Sequence, residues 1–325
     1  MAMTDGKVSE NILKRSVLKQ IKQVNKDVAT GAVFGEDCAI LNLKEKTGAA
    51  TASGFGVEGG RIAMIKASNN LAAGGFSASF FQISIILPKE TEEEELKKLM
   101  KVLAKEASVL DGEIVGGQTE VSRSVNEISV TVTAIGNLFS DCCPNKKNIK
   151  PGDSIIASKW VGLEGIGTLV PEKRDVLTDR FGEEFVSRTD KYTEWLSVKE
   201  EAVIAAKNGV VAMKDVSENG IFGCLWELGS VAGLGLKADL LLIPIRQEAI
   251  EICNYFNINP YELKSSGMLL MVTDEPETLI EKLADKGIPA VKIGEFTDNN
   301  DRIIVNDDEE RHLDKIKQDE IYKII

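Results

Sequence analysis

Lys214-Asp215-Val216-Ser217-Glu218-Asn219-Gly220 links an apolar run, 210–213, to a segment from 220 to 232 that reads as a helix. A strand that ends in an acid and then meets a glycine at a helix start places backbone N–H groups beside a carboxylate. Glycine lets those N–H groups approach a phosphate closely, while nearby carboxylates and amides hold Mg²⁺ or orient its waters. Three further segments carry the same punctuation: Gly35-Glu36-Asp37-Cys38-Ala39, Ser68-Asn69-Asn70-Leu71-Ala72 and Gly116-Gly117-Gln118-Thr119-Glu120. One such loop means little. Four in one chain point to a nucleotide-phosphate and metal site assembled from distant segments.

Composition narrows the class. The 325 residues suffice for two domains with ordinary cores, and 43% hydrophobic with 28% charged residues matches a soluble globular protein. A formal charge of −12 argues against binding a nucleic-acid backbone, which calls for a basic face. It leaves room for a small anionic ligand, because loop amides and a metal supply local positive potential. Residues 1–7 are polar and lack a signal-peptide core, and the longest apolar stretch, 76–88, is broken by Ser77, Ser79, Gln82 and Ser84. A cytoplasmic protein without a membrane span is expected. The five cysteines form no metal-like spacing and read as reduced thiols. The single histidine, His312, sits in an acidic stretch, which argues against a His-based triad or a His-rich zinc site.

Along the chain, Leu13, Val17 and Ile21 share a face of a helix capped by Ser9. Strands are expected at 38–43 and 80–87, a helix of small residues over 61–73, and a short strand at 113–115 leading into a loop at Gly116-Gly117. Thr91 and Glu94 form a capping box for a helix over 91–110, whose Leu96, Leu99, Met100, Leu103, Ala107 and Leu110 make one stripe. Ile128, Val130 and Val132 alternate with polar residues, as in a strand with one wet or interfacial face. The aperiodic stretch 141–153, rich in Pro, Lys and Asn, marks a boundary between domains at 1–145 and 150–325. Helix and strand pairs follow it without a clean βαβ rhythm, so the class is α+β or mixed α/β. The apolar strands 80–87 and 128–135 need a second layer beyond the helix over 91–110, which predicts a homodimer through the N-terminal domain.

In this order and at these distances the loops resemble the superfamily of aminoimidazole ribonucleotide (AIR) synthase, the PurM-like proteins. Gly35-Glu36-Asp37-Cys38-Ala39 resembles the family's Gly-Asp-Asp-Ala-Ala, and Asn69-Asn70-Leu71-Ala72-Ala73-Gly74-Gly75 its Asn-Asp-Leu-Ala-x-x-Gly. Gly116-Gly117-Gln118-Thr119 is similar to its Gly-Gly-Asp-Thr, and Asp215 to Gly220 to its Asp-x-Ser/Thr-x-Gly-Gly. Asn259-Pro260 and Ser266-Gly267-Met268 carry the likeness into the closing segments. The resemblance implies an α/β domain that dimerises through its sheet, followed by an α+β domain. It also implies ATP and Mg²⁺ as cofactors, with Glu36, Asp37 and Asp215 toward the metal. Asn69, Asn70, Gly116, Gly117, Gln118, Thr119, Asn219 and Gly220 would face the nucleotide. The hydrogenase-maturation HypE branch is the nearest, and it acts through a C-terminal cysteine. No cysteine follows Cys253 here, so that reaction is not expected on a tail thiol.

The pattern departs from the family at its charges. Glu36 stands for an Asp, Asn70 and Gln118 replace two others, and Thr51-Ala52-Ser53 lacks the carboxylate expected nearby. Amides coordinate Mg²⁺ without bringing charge, so affinity should fall. Taken singly, each motif also has an ordinary reading: a tight turn at Gly116-Gly117, an Asx-turn or helix cap at Asp215, a helix end at Asn69-Asn70. Gly162-Leu163-Glu164-Gly165-Ile166-Gly167 lacks the spacing of a dinucleotide fingerprint. Three functions stay open: an ATP- and Mg²⁺-dependent enzyme, a non-catalytic nucleotide-binding or scaffold descendant, and a binding module for another phosphorylated metabolite.

Overall fold

The computed structural model describes residues 10–12, 14, 28–30, 33–36, 39–42, 46–140 and 143–325. Of the expected first helix, α1 (Glu10–Ile12) and Lys14 fall within them; the rest of it, and Asp37 and Cys38, lie outside. The chain divides into two compact units, residues 23–143 and residues 144–325, with α1 grouped with the second.

The first unit contains β1 (Val28–Thr30), β2 (Ala39–Asn42), β3 (Lys46–Phe55), α2 (Gly56–Ala73), β4 (Phe76–Leu87), α3 (Glu93–Val109), β5 (Glu113–Val121) and β6 (Ser129–Leu138). Among the described residues these strands form a six-stranded sheet in the order β1-β2-β3-β6-β4-β5, with β4 and β5 parallel. Alternation decides its faces. Phe81, Ile83 and Ile85 of β4 and Val130 and Val132 of β6 are buried, whereas Gln82 and Ser84 are exposed. The helices cover the apolar face: a side chain at Gly60 of α2 would press on Val130 of β6 and Leu99 of α3. Helix α3 places three glutamates in its first turn, where the helix dipole favours negative charge, and buries Leu99, Leu103 and Ala107.

Several boundaries differ from the sequence reading. The capping box at Thr91 does not form; the chain turns on Pro88, whose carbonyl accepts from Thr91 N–H, and the helix starts two residues later. Strand β3 was not foreseen, since Lys46 to Phe55 is built from small and hydroxylated residues without an apolar rhythm. Strand β5 runs straight through Gly116-Gly117, so these glycines are strand residues rather than a loop. Gly117 sits at φ +149, and a Cβ there would collide with the Ile83 carbonyl of β4. Close approach of two strand backbones explains that glycine.

The second unit contains β7 (Ser154–Ser158), α4 (Leu163–Phe181), α5 (Glu183–Ser187), α6 (Lys199–Lys207), β8 (Ala212–Val216), α7 (Gly220–Ala232), β9 (Gly235–Asp239), α8 (Gln247–Phe256), β10 (Met268–Thr273), α9 (Pro276–Ala284), β11 (Ala290–Thr297), β12 (Arg302–Asn306) and β13 (Glu309–His312). Its seven-stranded sheet is ordered β13-β12-β9-β11-β7-β10-β8, with β9 and β12 parallel. Every residue of β7, β8 and β10 is buried, as expected of strands covered on both faces. Helix α4 was not foreseen either. Pro171 interrupts its pattern and a kink at Lys173 follows, because proline lacks the N–H and its ring crowds the preceding turn.

Candidate functional site

The turn between β8 and α7 has the most constrained backbone among the predicted loops. Asn219 and Gly220 adopt consecutive positive φ values of 68° and 61°. A side chain at Gly220 would run into the carbonyls of Tyr261 and Leu263, so only glycine fits. Asp215 sits in β8 opposite Leu269 of β10 and is 2% exposed, and its backbone carbonyl receives the Cys224 thiol of α7.

A second helix start lies against the same segment. Gly162, at φ +78, precedes α4 and donates its N–H to Ser265 Oγ at 2.7 Å. Gly165 N–H reaches Lys264 O at 2.9 Å, and Ser265 N–H reaches Ser217 O at 3.1 Å. Ser266 donates to the Glu164 carboxylate at 2.6 Å, with Lys264 Nζ 4.0 Å from the same carboxylate. Residues 264–266 therefore tie the start of α4 to the turn before α7.

A third segment closes the cluster. Asp319 accepts from Asn219 N–H at 2.6 Å and from Ile321 N–H at 3.0 Å. Tyr322 donates its hydroxyl proton to Glu218 at 2.9 Å, and Lys264 Nζ lies 5.2 Å from the Tyr322 ring centre. Burial pushes the Asp319 carboxyl up to about 6, against the pull of its N–H donors and the Lys264 charge. Burial also raises the Tyr322 phenol, helped by the negative charges of Glu218, Asp319 and Glu164. Chemically, the cluster shows a backbone N–H at a left-handed turn that binds an anion, with Lys264 amid several carboxylates.

The other predicted residues occupy different places. Asn69 is buried within α2, and the Asn70 carbonyl accepts from Gly74 N–H at the helix end. Glu36 is half-buried just after the turn at Gly35, and Asp37 lies outside the described residues. Gln118 is exposed on β5, where its amide donates to Glu120. Through paired registers it lines up with Ser84, Thr131 and Ser53, and Ser53 and Thr131 share a hydroxyl hydrogen bond at 2.9 Å. At a strand spacing of about 4.8 Å, Ser53 and Gln118 stand roughly 14 Å apart within that row. Among the described residues no group of three or more His, Cys, Asp or Glu gathers as a metal-ligand set.

Glu164, Lys264, Ser265, Asp319 and Tyr322 escaped the sequence reading. Glu164 sits within Gly162-Leu163-Glu164-Gly165, whose glycine spacing carries no sign of its bond to Ser266. Asp319 gave no signal, since a hundred residues separate it from Asn219.

The chain is similar along most of its length to proteins of hydrogenase maturation. It is 24% identical over 312 residues to a candidate hydrogenase expression/formation protein of Methanocaldococcus jannaschii, covering 92% of this chain and 91% of that one. It is 25% identical over 232 residues to carbamoyl dehydratase HypE of Rhodobacter capsulatus, covering 71% and 66%. Among solved structures, a chain of a HypE–HypF complex superposes with a TM-score of 0.74 at 24% identity, covering 86% of this chain and 93% of that one. HypE in complex with ATP superposes at 0.72 with 18% identity and 98% coverage of both chains. No helix among the described residues is long and apolar enough to cross a membrane. The AIR synthase related N-terminal model matches residues 35–138 and the C-terminal model residues 150–306. Those spans hold β2 through β6 and β7 through β12, together with the turn at Asn219, and the chain belongs to the AIR synthase related family.

Proposed function

We propose that this protein is a HypE-like member of its family that binds ATP and uses it to activate a substrate by phosphoryl transfer. The observation that carries the reading is the turn at residues 217–220, whose Asn219 N–H holds an anionic oxygen at 2.6 Å. A helix start with left-handed backbone suits phosphate oxygens for the same reason. Similar proteins solved with ATP, or with AMPPCP in AaThiL, support the reading. Asn219 and Gly220 would hold phosphate from this turn. Bound ATP would supply the transferable phosphoryl group.

The donor set fits phosphate better than it fits a metal. Among the described residues the acidic ligands are Glu36 and the buried Asp215, while Asn70, Gln118 and Ser53 bring no charge. Of the acidic candidates, Asp215 lies in the same unit as this turn and would be the Mg²⁺ ligand there. A non-catalytic nucleotide-binding role is the second reading, favoured by this same shortage of charge. The face of the first sheet that carries Ser53, Gln82 and Ser84 also exposes Phe55 and Phe80, which supports a homodimer through that unit.

Calorimetry with ATP and Mg²⁺ on the wild type and Asp215→Asn tests the proposal. Wild type should bind, and the variant about tenfold more weakly, equivalent to about 1.4 kcal/mol. A wild type that shows no heat and no rise in melting temperature with millimolar ATP removes the nucleotide reading. ATP binding without turnover, in the presence of any tested acceptor, favours the second reading.

A further inference from the structure

Residues 319–322 are bound across the phosphate turn much as a ligand would be. Asp319 sits on Asn219 N–H, Tyr322 on Glu218, and Glu320 accepts from Asn259 N–H at 3.2 Å. Ile321, between them, is fully buried, and Asp319 is 1% exposed. These bonds join positions 61 to 104 residues apart, so the chain places this segment by tertiary packing rather than by local preference. A phosphate oxygen and the Asp319 carboxylate would need the same N–H, and two anions at hydrogen-bond distance from one donor repel each other.

We propose that residues 319–322 form an autoinhibitory strap: the Asp319 carboxylate holds the anion position of the turn at residues 217–220, and nucleotide phosphate must displace it to bind there. The strap rests on the nucleotide reading given above and adds regulation to it. Burial makes Asp319 reluctant to stay charged, with Lys264 as the opposing cation. A phosphate brings more charge and more acceptor oxygens to the same donors. Tyr322 and Ile321 fix the strap's position without touching the contested N–H.

Binding of ATP to wild type, Asp319→Ala and Tyr322→Phe, together with hydrogen exchange of residues 319–323 with and without ATP, tests the strap. Asp319→Ala should bind ATP about tenfold more tightly, since it loses a charge-assisted competitor. Tyr322→Phe should bind about two- to threefold more tightly, since it only loosens the anchor. ATP should speed exchange at residues 319–323 in the wild type. The strap is wrong if wild type binds ATP while neither variant binds more tightly, or if ATP leaves that exchange unchanged or slows it. If Asp319→Ala does not fold, Tyr322→Phe and the exchange measurement decide alone. If ATP binds none of the three proteins, the nucleotide reading falls and takes the strap with it.

Discussion

Asp319 shows how one buried carboxylate shapes the behaviour of the site. Its folded value of about 6 exceeds the ordinary 3.8, so the folded state binds its proton more tightly than the unfolded chain does. The stability linked to this group is therefore fully present below about pH 3.8 and is lost as pH rises through about 6. A shift of about two units corresponds to on the order of 3 kcal/mol, and its near-complete burial leaves little solvent screening. Burial is the main cost to the carboxylate's charge, and Lys264 and the backbone N–H donors offset part of it. Urea unfolding of wild type and Asp319→Ala at pH 5 and pH 7.5 isolates the term. Wild type should lose stability relative to the variant on going to pH 7.5, and a difference that stays constant across that interval would count against the linkage. None of this was visible at Asp319 in the sequence, because its partners Lys264 and Asn219 lie 55 and 100 residues away.

At the scale of the element, the turn into α7 is held by backbone shape as much as by its acids. Asn219 and Gly220 take left-handed backbone in succession, and the carbonyls of Tyr261 and Leu263 crowd the space where a side chain at 220 would go. Gly220→Ala should therefore destabilise the second unit by about 2 to 4 kcal/mol, combining the φ penalty with the clash. Thermal unfolding measures this directly, and a variant within about 0.5 kcal/mol of wild type would show that the turn relaxes freely. The same substitution at Gly116 meets open space and should be mild. The sequence had ranked these glycines together as phosphate-loop signals. Only the pairing of β5 with β4 shows that Gly116 and Gly117 are strand residues, with Gly117 answering to the Ile83 carbonyl. Helix α3 was legible because its stripe of Leu99, Leu103 and Ala107 follows from the helical period alone. Strand β3 was not, because a run of Thr, Ala, Ser and Gly carries no periodic signal.

At the scale of the molecule, the first sheet leaves one face with hydroxyls and amides set among exposed Phe55 and Phe80. Light scattering at micromolar concentration should return a particle of twice 35.4 kDa, and a particle of 35.4 kDa would remove the dimer. Phe55→Asp, which places a charge on that face, should shift the mass toward the monomer. The sequence by itself determined that two α/β-type halves follow one another and that motifs of the AIR synthase family recur in order. Short-range signals suffice for that: apolar periodicity, proline stops, and glycines beside acids. It also determined that Asn70, Gln118 and Ser53 bring no negative charge, since charge is a property of residue type. Tertiary structure alone decided which residues meet. Gln118 faces Ser84 along a strand row, while Asn219 meets Asp319 across a hundred residues of chain. Such encounters depend on strand order and on how helices seat over a sheet, and no residue's neighbours in sequence encode them.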